Sequence, residues 1–134
     1  MIVVDANIIA YLFIPGEHSE IVERVLKRDS KWAVPLLWRS EFCNILYKYI
    51  RFKKMGIETA VKTAEAAQRF LSAAEFAVSF YKVLELASQT SCSAYDCEYV
   101  VLASDLRVPL LTTDKKLLKT FPKIAMPCDH YVKI

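Results

Sequence analysis

Short apolar runs alternate along the chain with longer segments in which apolar residues recur every three or four positions, the signatures of a buried strand and of a helix with one covered face. Residues 2–5 predict a strand, and residues 7–13 a helix that stops before Pro15 and Gly16. Ser19 is placed to cap a helix over residues 20–28, with Glu20 in its first turn and Lys27 and Arg28 in its last, where the helix dipole favours those signs. Residues 32–34 predict a second strand. Pro35 then starts a long helical stretch to about Lys54, ended by Gly56, and the Ala-rich residues 58–72 supply another helix. In the last third, the pattern predicts a strand near residues 76–79, a helix over 81–89 and a Ser93-capped helix over 94–106. It continues with a strand ending near Asp114, a short helix over 115–118 and a last strand around 124–126.

Strands alternating with helices imply βα units, hence an α/β class with a mainly parallel sheet and helices on both faces. The 134 residues suit one domain, which would bury roughly 70 % of the unfolded chain's surface without disulfide staples. No internal repeat, linker or low-complexity segment divides it. A hydrophobic content of 54 % with only 2 Gly argues against disorder, and the apolar runs are too short and too often charged to span a bilayer. Asp5 and Asn7 interrupt the one stretch that a secretory signal would need, so a cytoplasmic protein with no membrane partner is expected. Cys43, Cys92, Cys97 and Cys128 form no CxxC pair and are expected to be free, mostly buried thiols. The net charge of +3 permits an anionic partner without demonstrating one. Lys48, Arg51, Lys53 and Lys54 cluster, but at a helix C-terminus, where cations are favoured anyway; Lys115, Lys116 and Lys119 form a second group.

Four acids occupy unusual places. Asp5 and Asp114 lie at predicted strand ends, and in parallel sheets ligands bind outside the carboxyl ends of the strands. Glu41 sits one turn from Leu37, Trp38 and Ile45, and Asp96 one or two turns before Tyr99, Val100 and Ala103, so both project from apolar stripes. Singly, each has an ordinary reading as a helix cap or a solvated acid. Jointly they are harder to dismiss, because like charges gathered in one pocket raise one another's pKa unless a cation compensates them.

Carboxylates without a convergent His or Cys make an oxygen-ligand site suited to Mg²⁺ or Mn²⁺ rather than zinc. Such an ion acidifies bound water and stabilises charge on a leaving oxygen, which points to phosphodiester hydrolysis. Asn7, Ser40, Thr112 and Thr113 are available to hydrogen-bond the ligands, although each also suits a cap or turn. Histidine-pair and Ser-His-Asp chemistry have little support, since His18 and His130 fall in a predicted loop and in the tail; Gly16 and Gly56 make no phosphate loop.

The stretches "VVDANIIAYLF", "PLLWRSEFCNIL" and "SAYDCEYVVLASDLRVPLLTTDKKL", together with total length, resemble the PIN domain, and within it the VapC toxins of type II toxin-antitoxin pairs. The resemblance covers essentially the whole chain, with Asn44 three residues after Glu41 and Thr113 directly before Asp114. It implies a three-layer α/β/α sandwich and a metal-dependent endoribonuclease, commonly acting on transfer or ribosomal RNA with water as nucleophile. By the same resemblance Asp5, Glu41, Asp96 and Asp114 are the catalytic, Mg²⁺- or Mn²⁺-binding acids, Asn7 and Thr113 are supporting polar groups, and Glu98 is a weaker candidate. It also implies a homodimer held inactive by an antitoxin whose C-terminal segment wraps it. Tyr47, Phe52 and Phe70 are available for either contact, with core packing their ordinary role.

Two other readings compete. A catalytically silent RNA-binding or scaffolding PIN module would be expected to have lost at least one acid, and this chain retains all four. A phosphatase of the haloacid-dehalogenase type needs an acid two residues after its first Asp, where Asn7 stands, and a receiver domain needs an Asp at a mid-chain strand end, where Arg51, Phe52 and Lys53 stand.

Overall fold

A computed structural model describes all of residues 1–134. Its elements run β1 (Ile2–Val4), α1 (Ala6–Phe13), α2 (Ser19–Arg28), β2 (Trp32–Pro35), α3 (Trp38–Phe52), α4 (Ile57–Leu71), β3 (Glu75–Phe76), α5 (Phe80–Gln89), α6 (Ala94–Leu106), β4 (Leu110–Leu111), α7 (Lys115–Thr120), β5 (Ala125–Met126) and α8 (Cys128–Lys133). The five strands form one sheet in the order β3-β2-β1-β4-β5, every pair parallel.

The strand period of two divides the core into two layers. Ile2, Val4, Trp32, Val34 and Leu111 pack on one face with residues of α1 to α4 and α8, while Val3, Ala33 and Leu110 pack on the other with α5, α6 and α7. Both faces of the sheet are thereby covered, the three-layer α/β/α architecture expected for a parallel sheet. All residues of β1 and β2 are buried, which is why these strands read as continuous apolar runs rather than as alternation.

Several boundaries differ from the sequence pattern. Pro35 does not start α3 but ends β2, paired with Phe76. The N–H groups that this segment donates to the β3 strand belong to Val34 and Leu36, so the donor missing from Pro35 is not needed there. A turn at Leu36 and Leu37 follows, and α3 begins at Trp38. The third strand is Glu75–Phe76 rather than 76–79, because Ser79 leaves the sheet to cap α5 by accepting the Lys82 N–H. Likewise β4 ends at Leu111, and Asp114 is the N-cap of α7 rather than a strand end. The segment after Pro127, read as a tail, is helix α8. It docks on α2, where the Arg28 guanidinium donates to the Tyr131 carbonyl at 2.7 Å and lies over the Tyr131 ring. Cys43 is exposed, the other three thiols are buried, and all four are free. No helix is long and apolar enough to cross a membrane.

Candidate active site

From the central β1, the chain first builds outward through β2 and β3, then returns to add β4 and β5 on the other side. The crevice outside β1 and β4 is therefore where the strand order switches, the usual ligand position in such sheets. The pairing Val4↔Leu111 ends both strands together and sets Asp5 beside Thr112. Asp5 is 9 % exposed and caps α1 by accepting the Ile8 N–H at 3.1 Å; its second oxygen accepts the hydroxyl of the fully buried Thr112. The same Thr112 oxygen accepts the Asp114 N–H at 3.0 Å, tying Asp5 at the end of β1 to Asp114 at the N-cap of α7.

Helices bring the remaining acids. One face of α3 is anchored by buried Trp38, Phe42 and Leu46, which leaves Glu41 half-buried at the rim of that face. Ser93 caps α6 by accepting the Asp96 N–H, and Asp96 stands in the first turn. Asp114 is exposed and accepts the Leu117 N–H at 3.0 Å. All four acids line a single cavity of about 210 Å³ with Asn7, Asn44 and Tyr99, completed by apolar Ala6, Ile45 and Leu117. No Lys, Arg or His is in that lining.

The electrostatics follow from burial and like charge. Burial raises the Asp5 pKa above the ordinary carboxylate range against the opposing hydrogen bonds from Thr112 and Ile8. Glu41 is raised by burial, an effect that the Tyr99 hydrogen bond opposes and the charges of Asp5, Asp96 and Glu98 reinforce. Asp96 is raised by burial and then by Asp114, with Lys116 acting the other way. Burial and the neighbouring Glu41 carboxylate push the Tyr99 phenol far up, so it stays a donor.

Four carboxylates and two amides, without thiol, imidazole or basic countercharge, are the donor chemistry of a hard divalent cation. With the side chains placed as they are, no three acidic, histidine or cysteine groups converge on one ion position. Both oxygens of Asp5, and one each of Glu41 and Asp114, are engaged by protein donors.

Of the supporting residues expected from sequence, Asn7 is exposed and lines the cavity, whereas Thr113 is exposed and does not. Glu98 is half-buried and also outside the lining. The hydroxyl that reaches Asp5 is that of Thr112, which the sequence placed only among several possible hydrogen-bonding groups. The sequence pattern shows Tyr99 only as part of an apolar stripe; the signal for more is a hydroxyl on a buried helix face, which needs a partner, here Glu41.

Residues 2–123 match the PIN domain family. Ribonuclease VapC3 of Pyrobaculum aerophilum is 32 % identical over 130 residues, a match covering 94 % of this chain and 98 % of that protein. The crystal structure of PAE2754 from Pyrobaculum aerophilum superposes with a TM-score of 0.78 at 21 % identity, covering 98 % of this chain and 93 % of that one. A toxin-antitoxin complex from Klebsiella pneumoniae gives a TM-score of 0.72 at 17 % identity, with 96 % and 98 % covered. FitAcB from Neisseria gonorrhoeae gives 0.73 at 13 %, with 97 % and 99 % covered. These structures share the three-layer fold, and the family match spans the whole sheet up to β4 and all four cavity acids; the chain belongs to the PIN-domain family and is VapC-like.

Proposed function

We propose that the chain is an endoribonuclease that hydrolyses RNA phosphodiester bonds at this cavity with Mg²⁺ or Mn²⁺, and that it is the toxin of a toxin-antitoxin pair. The observation that carries the reading is four carboxylates, brought from four separate segments of the chain, lining one cavity without a basic residue. Similarity to a ribonuclease over almost the whole chain supports it. Asp5, Glu41, Asp96 and Asp114 would hold the ion, and when bound it supplies an acidified water and stabilises charge on the leaving oxygen.

The chain's own groups do the rest. Thr112 holds the Asp5 carboxylate at the strand ends, and the exposed amides of Asn7 and Asn44 are placed to orient a phosphate or water in the cavity. Lys115 and Lys116, exposed just after Asp114, offer positive charge to the RNA backbone beside the acidic centre. Transfer or ribosomal RNA is the proposed substrate class, and a cytoplasmic homodimer neutralised by an antitoxin the proposed assembly. The similarity to a toxin-antitoxin complex supports the partner. Tyr47 and Phe52 are 50 % and 69 % exposed on α3 and available for such contacts, whereas Phe70 packs edge-on against Phe13 and Trp32.

The test is incubation of the purified chain with a pool of cellular RNA in Mg²⁺, Mn²⁺ or EDTA. Cuts that require the ion and fall at least about a hundredfold in Asp96→Asn are expected. RNA binding without cleavage in any of these conditions would instead make the chain a binding module.

A further inference from the structure

Tyr99 is the only phenol in the cavity lining. It comes from α6, one turn after Asp96, and is 2 % exposed. Its ring is packed in the core layer that contains Val3, Val100 and Leu117, while its hydroxyl donates to Glu41 Oε1 at 2.6 Å, joining residues 58 apart. A phenol has one proton to donate, and here it goes to Oε1. Glu41 Oε2 has no protein hydrogen-bond partner. The close packing of the ring fixes the position of the hydroxyl, and through it one end of a flexible carboxylate that would otherwise be free to rotate.

We propose that Tyr99 is a positioning residue for the cavity: it holds Glu41 by Oε1 and leaves Oε2 as the oxygen offered to a divalent cation. This rests on the reading of the cavity as a divalent-cation site. The α6 helix then serves that site twice, directly through Asp96 and indirectly through Tyr99 on Glu41. Glu41 is ordered before any ion arrives and binds it through one oxygen.

The test compares Mn²⁺ affinity, measured by titration calorimetry on the RNA-free protein, in wild type, Tyr99→Phe, Glu41→Ala and the double variant. Tyr99→Phe is expected to weaken Mn²⁺ binding about tenfold or more, with the metal-free unfolding temperature changing by only a few degrees. In the Glu41→Ala background the same change is expected to cost nothing further, since its effect passes through Glu41. Unaltered Mn²⁺ affinity in Tyr99→Phe overturns the proposal, as does an equal loss with and without Glu41. Absence of Mn²⁺ binding by the wild type overturns the metal reading and this proposal with it. If Tyr99→Phe does not fold, the near-ultraviolet difference spectrum decides. A buried-tyrosine perturbation on titrating Mg²⁺ into the wild type, lost in Glu41→Ala, supports the proposal; no perturbation in the wild type overturns it.

Discussion

Thr112 touches two of the four cavity acids, donating to the Asp5 carboxylate and accepting the Asp114 N–H. Thr112→Val keeps the shape but leaves that N–H and the Asp5 oxygen without a partner, so it is expected to cost about 1–3 kcal/mol, read as a lower urea midpoint. Thr113→Val, one residue on at an exposed position, is expected to stay within about 0.5 kcal/mol. Equal losses in the two variants would remove Thr112 from its role. For Asp5, substitution by Asn preserves a side chain that can cap α1. Under the proposed function Asp5→Asn therefore removes cleavage and toxicity while the protein still folds, and growth arrest by this variant would contradict the metal chemistry.

At the scale of elements, Glu75 fastens β3 to the start of α3. Its side chain is only 9 % exposed and accepts both the Trp38 indole N–H and the Arg39 guanidinium at 2.7 Å, while Arg39 itself is 53 % exposed. Because Glu41 follows Trp38 by three residues on α3, this clasp also sets where that acid enters the cavity. Glu75→Ala strands the indole N–H of buried Trp38 and is expected to cost about 1–3 kcal/mol. Arg39→Ala, which removes only the exposed partner, is expected to lower the midpoint less than Glu75→Ala does in the same denaturation experiment. The Arg39 hydrogen bond holds the Glu75 pKa below its ordinary value. Its stabilising effect is therefore complete above the unfolded value of about 4.3 and is lost as pH falls through the folded one, so the acid limb of unfolding should shift upward in Arg39→Ala.

Across the whole molecule the cavity acids act in the opposite sense. Burial raises Asp5, Glu41 and Asp96, so between about pH 4 and their folded values the native state holds more protons than the unfolded chain. Their contribution to stability falls as pH rises through that window. Unfolding temperatures in EDTA should accordingly decline as pH rises above about 4, with a smaller decline in Glu41→Gln. Under the proposed function Mg²⁺ restores the loss, by about 2.7 kcal/mol at a hundred times its Kd. An EDTA profile unchanged by Glu41→Gln would show that the acids do not set this dependence.

What the sequence determined by itself was local. Periods of two and of three to four, capping residues and breakers marked most of the strands and helices, and with them the parallel sheet, and placed four acids at helix starts, strand ends or apolar stripes. The tertiary structure decided what depends on partners distant in sequence. The Val4↔Leu111 register chose Thr112 over Thr113 as the neighbour of Asp5, and pairing with Phe76 drew Pro35 into a strand rather than a helix. Docking on α2 gave the residues after Pro127 a helical face to bury, and packing of α6 brought Tyr99 to Glu41. Periodicity is set by neighbours in sequence and survives without a fold, whereas a register or a hydrogen bond across 58 or 107 residues exists only once both elements are in place.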